Sequence, residues 1–342
     1  MLSEKQLEEI REWLNKSQNP LFFFDNDADG LASFLLLRRY IGRGKGVAIK
    51  SRPDLSTAYL SKVKEFKPDV IFILDKPLVS DDFLNELALE NIPVVWIDHH
   101  LTEQPKEKAK TAYYSPLDGT PSTNEPVAYW CWKITKKDDW IGMIGCIGDW
   151  FIPDFSDKYS QEFPGMLDKR KSAAQALFET QTGKIVKIVN FALKDKTSNV
   201  IQMLRKLETA KSPYEILDDK KFEQIRKRYE HIEKKYSSLL EKAKELGAKG
   251  GKYIFFQYGG PLSLSAEISN ELFYIFPEKF IVVVYIKGDK ANVSIRGKGA
   301  RDFIEKVLKE LPGTGGGHEV AVGASLSVED LPKFYEMIKK HH

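Results

Sequence analysis

The sequence is poor in cysteine and lacks any long apolar run. Two cysteines, Cys131 and Cys146, are too few for a disulfide framework or a cysteine-based zinc site, and they favour a reducing, cytoplasmic setting. The longest apolar stretch, FIVVVYI at 280–286, is far too short to cross a bilayer. The charged, amphipathic start MLSEKQLEEIREWL does not resemble a signal peptide. We therefore expect a cytoplasmic protein with no membrane partner.

The chain also lacks a large excess of positive or negative charge. The 342 residues include 52 Lys and Arg against 49 Asp and Glu, a formal charge of +3. This balance neither requires nor excludes a nucleic-acid partner, because an acidic metal site would mask basic patches elsewhere. With 42% hydrophobic residues, the chain has the composition of an ordinary globular protein and is long enough for two domains.

The first 154 residues alternate apolar runs with helical patterns. Strands are predicted at PLFFFD, DVIFILD and IPVVWIDHH, with helices at GLASFLLLRRYIG and SDDFLNELALEN between them. This alternation predicts an α/β fold with a parallel sheet that helices cover on both faces. Each strand ends in acidic residues or histidines, so the topology predicts that these side chains meet at one edge of the sheet.

Residues 155–248 show only helical patterns. Within them, eight apolar residues repeat at alternating spacings of three and four, which is a heptad seam: Phe222, Ile225, Tyr229, Ile232, Tyr236, Leu239, Ala243 and Leu246. One interpretation is an amphipathic helix packed on its own domain. The other is a helical hairpin with the stripe Val200, Leu204 and Leu207. Because that stripe is short, part of the seam is expected to remain available for self-association or another protein.

The last segment, 249–342, reads as a second and smaller α/β domain. Strands are predicted at YIFFQYG, FIVVVYIKG and ANVSIRGKG, with helices at LSAEISNELFYIF, ARDFIEKVLKEL and VEDLPKFYEMIKK. The glycine-rich stretch PGTGGGHEVAVGASL at 312–326 is predicted to be a loop.

Seven acidic and imidazole side chains follow the apolar runs of the first domain: Asp25, Asp27, Asp29, Asp75, His99, His100 and Asp149. Carboxylates at alternate positions repel one another, so the stretch DNDADG requires a positive partner or a bound proton. A mixed set of Asp and His ligands suits Mn²⁺ or Mg²⁺. Two such ions activate a water and stabilise charge on a phosphoryl centre.

These residues resemble the motifs of the DHH phosphoesterase family. DNDADG is similar to motif I, Asp75 after VIFIL to motif II, the triplet DHH at 98–100 to the one that names the family, and Asp149 in IGDW to motif IV. GTGGGH at 313–318 resembles the GGGH signature of the DHH-associated C-terminal domain. Many members have His where this chain has Asp25, whereas the RecJ nucleases have Asp.

The resemblance implies a role for each residue. Six side chains would share two Mn²⁺ ions, with Asp75 bridging them: Asp25, Asp27, Asp29, Asp75, His99 and Asp149. His100 would contact the scissile phosphate or protonate the leaving oxygen, and Asp98 would orient a histidine. Arg296 would grip the substrate backbone. Gly315, Gly316 and Gly317 would bring backbone N–H groups to a phosphate, with His318 as a further donor.

The resemblance also implies a substrate class. The helical segment makes the chain most similar to the archaeal, helicase-associated members of the family, which degrade single strands from the 3′ end in DNA repair or replication. A DNA helicase is therefore a candidate partner for the heptad seam, beside a second copy of the chain. Two alternatives are a phosphodiesterase of small substrates, such as short oligonucleotides, cyclic dinucleotides or adenosine bisphosphate, and a catalytically idle replication scaffold.

Overall fold

The apolar runs at the start of the chain form a five-stranded parallel sheet. The computed structural model describes residues 1–50, 55–101, 110–168 and 172–341, which divide into two units, 1–229 and 230–342. The strands of the first unit are β1 (Leu21–Asp25), β2 (Lys45–Ile49), β3 (Ile71–Leu74), β4 (Val94–Ile97) and β5 (Thr111–Tyr114). Their order in the sheet is β2-β1-β3-β4-β5, and each pair is parallel.

Helices cover both faces of this sheet. The helices of the first 248 residues are α1 (Glu4–Lys16), α2 (Ala28–Ile41), α3 (Leu60–Phe66), α4 (Asp81–Leu89), α5 (Val127–Thr135), α6 (Asp139–Gly148), α7 (Ser156–Glu162), α8 (Ala173–Glu179), α9 (Gln181–Leu193), α10 (Thr197–Leu207), α11 (Pro213–Asp218) and α12 (Glu223–Ala248). Phe22 and Phe24 of β1 point into a core shared with α1, α2 and α5. Leu21 and Phe23 point into a separate core that contains Phe83 of α4. Alternate residues of β1 thus pack into two different cores, one on each face of the sheet. This explains why the strands are apolar throughout.

The heptad seam is buried within its own chain. Phe222, Ile225 and Tyr229 pack against the core of the first unit, while Ile232 and Tyr236 are buried further along α12. The buried stripe then continues through Leu240, Ala243 and Gly247, one residue beyond the predicted Leu239 and Leu246. A straight helix has 3.6 residues per turn, so a strict 3.5-residue repeat drifts off its buried face.

This packing supports the interpretation of an amphipathic helix packed on its own chain. Near its C-terminal end, α12 lies so close to Phe276 that a Cβ on Gly247 would come within 2.7 Å of that ring. Of the eight seam residues, only Leu246 is exposed, at 38%. The chain itself thus covers most of the stripe, and a second copy or a helicase as a partner of the seam remains a prediction.

The second unit is a mixed sheet with helices α13 (Ser265–Ile275), α14 (Ala300–Glu310) and α15 (Leu331–His341). Its strands are β6 (Tyr253–Gly259), β7 (Phe280–Lys287), β8 (Lys290–Arg296), β9 (Gly313–His318) and β10 (Ala321–Ser327), in the order β6-β7-β8-β10-β9. Only β6 and β7 pair in parallel. The predicted fold class, a parallel-sheet α/β domain, a helical segment and a smaller α/β domain, is confirmed.

The loop predicted at 312–326 is a β-hairpin. Residues 313–318 form the edge strand β9, which pairs with β10 from Gly313↔Leu326 to His318↔Ala321. Three consecutive glycines have low strand propensity, so here the pairing partner and not the local sequence determines the structure. Within the described ranges, no helix has the length and apolar character needed to span a membrane.

Candidate metal centre

The first three aspartates lie where β1 passes into α2. Asp25 is the last residue of β1, and Asp27 caps α2 by accepting a hydrogen bond of 3.0 Å from Gly30 N. Asp29 is buried and accepts hydrogen bonds from Val127 N (2.9 Å) and Ala128 N (2.7 Å), at the start of α5. Glycine is required at position 30, because a Cβ there would lie 2.5 Å from Asp25 O.

A fourth carboxylate, Asp75, directly follows β3. Asp75 has a left-handed backbone (φ 57°), its N–H donates to Ile97 O at 2.9 Å, and its side chain is buried. Asp75 Oδ1 lies 3.4 Å from His99 Nε2 and 3.8 Å from His100 Nδ1. No residue in the described ranges provides that oxygen with a hydrogen bond. An unsatisfied, buried carboxylate oxygen is costly and indicates that something else completes its surroundings.

The DHH triplet follows β4, and its two histidines differ in the carboxylate that lies nearest to each ring. His99 is buried, with Nε2 at 3.4 Å from Asp75 Oδ1 and 3.5 Å from Asp149 Oδ2. Asp98 is fully buried and accepts two hydrogen bonds from His100, from the backbone N–H (3.0 Å) and from Nδ1 (2.9 Å). Asp98 therefore fixes the ring of His100.

Asp149 completes the cluster from the C-terminal end of α6. Its side chain is 39% exposed, so this side of the cluster opens to solvent. Within residues 1–229, two sets of three side chains each place potential ligand atoms within 4.8 Å of one another: Asp29, His99 and Asp149 form one set, and Asp75, Asp98 and His100 the other. The edge of one sheet thus gathers the residues that the sequence predicted there.

The electrostatics of the cluster favour cations. Burial, reinforced by the charges of Asp149 and Asp27, raises the pKa of Asp29 well above its ordinary value. Burial is likewise the main reason that the pKa of Asp75 is raised, and repulsion from Asp29 is the next. Burial lowers the pKa of His99, so its imidazole is neutral at pH 7 and able to bind a metal.

His100 has the opposite protonation preference. Burial by itself would lower the pKa of His100, but the charge of Asp98 and the hydrogen bond to it outweigh that effect and raise the pKa to about 9. At neutral pH the ring therefore carries a proton that it can donate. The two adjacent histidines thus differ in protonation at neutral pH.

The donor set fits two hard divalent cations. The oxygen and imidazole ligands are those that Mn²⁺ and Mg²⁺ accept, and the unsatisfied Asp75 Oδ1 lies between His99 and His100. Bound cations would also offset the burial and the repulsion that raise the pKa values of Asp29 and Asp75.

Lys76 is a residue of this site that the sequence analysis missed. Its side chain is buried, and its Nζ lies 3.1 Å from Asp25 Oδ1. Its backbone oxygen accepts a hydrogen bond of 2.9 Å from Trp96 Nε1, which holds the turn after Asp75 in place. A buried lysine beside a carboxylate cluster supplies positive charge of the kind that a metal would also provide.

We expect Lys76→Met to destabilise the metal-free protein strongly and the Mn²⁺-loaded protein much less. Removing one partner of a buried ion pair costs about 3–5 kcal/mol, and about 1 kcal/mol moves the Tm of a unit of this size by roughly 2–4 °C. The Tm in EDTA should therefore fall by roughly 6 °C or more, as measured by calorimetry. Lys62→Met, which removes the exposed pair Lys62–Glu65, is the matched control and should change the Tm little. An equal loss with and without Mn²⁺ would contradict a role for Lys76 in balancing the site.

The remaining predicted site residues lie in the second unit, and Arg296, Gly316 and His318 share one face of its sheet. Ala321 pairs with Arg296 on one side and with His318 on the other, so the three side chains form a row across β8, β10 and β9. Arg296 is held in place, because its Nε donates to Asn270 Oδ1 (2.5 Å) and its Nη1 to Ile295 O (2.8 Å). The structure thus brings the predicted arginine and histidine together around a small residue.

The glycines leave this part of the sheet open. Gly316 and Gly323 are paired on the same face, and a Cβ on Gly316 would meet nothing within 4 Å. Gly317 has φ 143°, and a Cβ there would lie 2.5 Å from Ala321 O, so only glycine fits. We name the surface formed by Arg296, Gly316, His318, Ala321 and Gly323 the glycine platform. It presents exposed backbone beside an arginine and a histidine.

Known proteins share this architecture. Residues 250–341 match the DHHA1 domain. The fold is similar to RecJ from Thermus thermophilus in complex with Mn²⁺, at 14% identity and a TM-score of 0.67, over 98% of this chain and 54% of that one. It is also similar to an exonuclease RecJ bound to manganese, at 15% identity and a TM-score of 0.67, over 99% of this chain and 95% of that one.

A third similar structure is PggH from Vibrio cholerae, a pGpG-specific phosphodiesterase, at 14% identity and a TM-score of 0.52, over 95% of this chain and 98% of that one. No curated protein sequence matches the chain. The chain spans about half of the Thermus RecJ, and at these identities the similarities establish the fold. Together, the shared fold and the DHHA1 domain confirm the predicted resemblance to the RecJ-like DHH phosphoesterases.

Proposed function

We propose that the protein is a metal-dependent phosphodiesterase that removes nucleotides from single-stranded nucleic acid, with Mn²⁺ as the preferred metal and Mg²⁺ as a weaker substitute. The observation that carries this proposal is the buried Asp75 carboxylate, whose Oδ1 lies within 4 Å of both histidines and accepts no hydrogen bond from the described residues. Such a carboxylate is stable in a folded protein when cations neutralise it.

We assign the metals to the ligand set that the resemblance implied. Asp25, Asp27, Asp29, Asp75, His99 and Asp149 would hold the two ions. When bound, the ions supply a water of lowered pKa and positive charge for a phosphoryl centre. The chain's own part is to hold these ligands in place: Asp29 through the N-terminus of α5, and Asp75 through its hydrogen bond to Ile97 O.

His100 is the proton donor in this account. Its Nδ1 is engaged by Asp98, so Nε2 is the ring nitrogen that transfers a proton to the leaving oxygen of the phosphodiester. A raised pKa keeps the ring protonated before the reaction, and Asp98 stabilises the charged form. This arrangement is general acid catalysis by an oriented histidine.

The glycine platform binds the strand. Arg296 offers a charged hydrogen-bond donor and His318 offers the ring of a histidine. The glycines expose backbone to an approaching phosphate. We therefore propose catalysis by residues 1–154 and strand binding by residues 249–342.

We expect Arg296→Ala and His318→Ala to weaken strand binding and to leave Mn²⁺ binding unchanged. A hydrogen bond to a charged group is worth about 1.5–3 kcal/mol, so the Kd of the arginine variant should rise by about 10- to 100-fold. The salt dependence of binding should also become shallower, because one phosphate contact is lost. Fluorescence anisotropy with a labelled oligonucleotide measures both effects.

Arg301→Ala is the matched control for Arg296→Ala. Arg301 lies on α14 and forms an exposed pair with Glu305, so its removal changes the net charge equally without touching the platform. If both arginine variants weakened binding to the same extent, the platform would not be the strand-binding surface.

The polarity that we propose is 3′ to 5′. Its support is the helical segment at 155–248, which the resemblance associates with the archaeal, helicase-associated members of the family. DNA and RNA are both candidate substrates, since a metal centre that acts on the phosphodiester does not itself distinguish them.

A second candidate is a phosphodiesterase of small substrates, which the similarity to PggH favours. The two functions differ in how activity depends on length. A strand exonuclease should hydrolyse long oligonucleotides at least as efficiently as dinucleotides, because the platform holds nucleotides beyond the scissile bond. A small-substrate enzyme should lose activity as the strand grows.

The experiment that tests the proposal uses single-stranded DNA and RNA labelled at either end, with Mn²⁺ or EDTA. The products are resolved by length. The proposal predicts Mn²⁺-dependent shortening from the 3′ end, visible as a ladder with a 5′ label. A protein that only acts as a scaffold would leave every strand intact, and hydrolysis confined to dinucleotides would establish the small-substrate alternative.

A further inference from the structure

Two lysines lie opposite each other at one end of the sheet of the second unit. Lys287 is the last residue of β7, Lys290 is the first of β8, and the two are paired across the strands. Side chains of paired residues lie on the same face, with Cβ atoms about 4.5–5.5 Å apart, and like charges in that arrangement are destabilising. Both lysines are exposed, and in the part of the chain that the structure describes neither forms an ion pair, although Asp289 lies in the turn between them. A bound anion would offset this repulsion.

This lysine pair lies on the same face of the sheet as the glycine platform. Side chains alternate between the two faces of a strand, so Lys290 and Arg296, both on β8 and an even number of residues apart, point to one side. At about 3.4 Å per residue, they are about 20 Å apart along the strand. Val293 and Ile295 point to the other side, where they pack with α14 in an apolar core. Positive charge therefore lies at both ends of one face.

Neutral hydrogen-bonding side chains lie between these two ends. Ser325 pairs with Asn292 on one side and with Thr314 on the other, which forms a second row across β8, β10 and β9. Asn292 and Thr314 are exposed, and Ser325 is half-buried. None of the three side chains forms a hydrogen bond with another of the described residues. Amides and hydroxyls of this kind contact the phosphates and sugars of nucleic acids without reading the base sequence.

The surface between this row and Arg296 is kept open by two glycines. Gly323 of β10 pairs with Gly316 of β9. A Cβ on Gly323 would meet only Val293 O within 4 Å, at 3.9 Å, and a Cβ on Gly316 would meet nothing. Larger residues would therefore fit, so the fold itself does not require glycine at either position. The two glycines join the charged and the neutral rows into one continuous surface, and glycine within a strand often marks the close approach of a ligand.

We propose that a single strand of nucleic acid lies along this face and that the lysine pair binds its phosphates beyond the nucleotide held by the glycine platform. We name this surface the strand track, and it is formed by five side chains: Lys287, Lys290, Asn292, Thr314 and Ser325. The inference rests on the proposed function and adds to it the length of strand that the second unit holds. The negative charge of the strand complements both ends of the face, and a ligand that reaches across about 20 Å contains several nucleotides.

The test uses the full-length protein with Lys287→Gln combined with Lys290→Gln, and fluorescence anisotropy in EDTA separates binding from hydrolysis. The ligands are a labelled dinucleotide and a labelled oligothymidylate that is long enough to cover the strand track. The Kd of the long strand should rise by about three- to tenfold at low salt, the scale of two exposed ionic contacts. The slope of log Kd against log salt concentration should become shallower by about 1.4, because each phosphate contact of a single strand contributes about 0.7.

The dinucleotide and the Tm are internal controls for this variant. The dinucleotide is too short to reach the lysines, so its Kd should not change. The Tm should stay the same or rise, because the variant removes two like charges that lie opposite each other. Lys306→Gln combined with Lys309→Gln is the matched control. Both lysines are exposed on α14, which packs on the opposite face, so the same charge is lost away from the strand track, and both ligands should bind as they bind the wild type.

Thr314→Val combined with Ser325→Ala tests the middle of the strand track. This variant removes two hydroxyls and no charge, and valine keeps the branched shape that suits a strand. The Kd of the long strand should rise by about fivefold or more, the scale of two neutral hydrogen bonds, while the salt dependence stays that of the wild type.

Three results would overturn the inference. The first is an equal rise in the Kd of the long strand for both lysine double variants, which would show that net charge alone is responsible. The second is a Kd of the long strand that Lys287→Gln combined with Lys290→Gln leaves unchanged. The third is a wild type that binds the long strand no more tightly than the dinucleotide. The proposed function fails on a different result, namely that no strand is hydrolysed with Mn²⁺.

Discussion

Asp75→Asn should abolish hydrolysis and, at the same time, make the metal-free protein more stable. The side chain is buried among other carboxylates, and burial and repulsion from Asp29 raise its pKa. A raised pKa means that the folded chain binds the proton more tightly than the unfolded chain. The stability from that proton is present at acid pH and is lost as the pH rises through the folded pKa. At pH 7, which lies above the ordinary pKa of an aspartate, the Asp75 carboxyl group therefore destabilises the metal-free fold, and the neutral amide does not.

The two effects have measurable sizes. The Tm of Asp75→Asn in EDTA should rise by a few degrees, since about 1 kcal/mol corresponds to roughly 2–4 °C for a unit of this size. The gain in Tm on adding Mn²⁺ should shrink, because an amide oxygen is a weaker ligand than a carboxylate. We expect kcat to fall by at least about 10³-fold, the scale on which enzymes lose rate when the groups that stabilise developing charge are removed.

Asp218→Asn is the control for Asp75→Asn, since Asp218 is exposed at the end of α11 and its substitution removes the same charge. It should change neither the Tm nor kcat. A lower metal-free Tm for Asp75→Asn would show that the carboxylate stabilises the fold, which is the reverse of a site built for cations.

The second large effect is expected for His100→Gln, and it should depend on the leaving group. Loss of a general acid lowers kcat by about 10²- to 10⁴-fold when the leaving oxygen needs a proton. A p-nitrophenyl ester of a nucleotide has a leaving group that needs none, so it should be hydrolysed by the variant at nearly the wild-type rate. The comparison of an ordinary dinucleotide with the p-nitrophenyl ester isolates proton donation from metal binding.

His231→Gln serves as the control for this variant, because His231 is exposed on α12. It should hydrolyse both substrates like the wild type. If His100→Gln lost activity equally on both substrates, His100 would be holding the metal or the phosphate and would not be the acid.

Buried strands could be predicted from the sequence because they carry a strong local signal. VIFIL and PVVWI are apolar throughout, and both lie inside the sheet as β3 and β4. The two edge strands were missed: β2 and β5 expose or half-bury most of their residues and so contain no apolar run. The aspartates and the DHH triplet could be placed at one edge because strand order in a parallel sheet fixes where strands end.

What the sequence could not predict depends on contacts between distant residues. Nothing in the sequence distinguishes Lys76 from the other lysines. It reaches Asp25 only because β1 and β3 pair in the sheet. The strand at the GGG stretch exists because β10 pairs with it. Along α12, the buried position shifts from the predicted Leu239 to Leu240. This shift follows from the 3.6 residues per helical turn and from the residues against which the helix packs. Each case is tertiary context overriding a local pattern.

The central claim is that the cluster around Asp75 binds two divalent cations, and calorimetric titration with Mn²⁺ tests it most directly. Wild-type protein stripped with a chelator should bind two ions per chain, with proton release as the raised pKa values of Asp29 and Asp75 fall. Arg301→Ala should give the same stoichiometry, and Asp75→Asn should lose at least one ion. Absence of Mn²⁺ binding by the wild type, or two ions bound equally well by Asp75→Asn, would contradict the account.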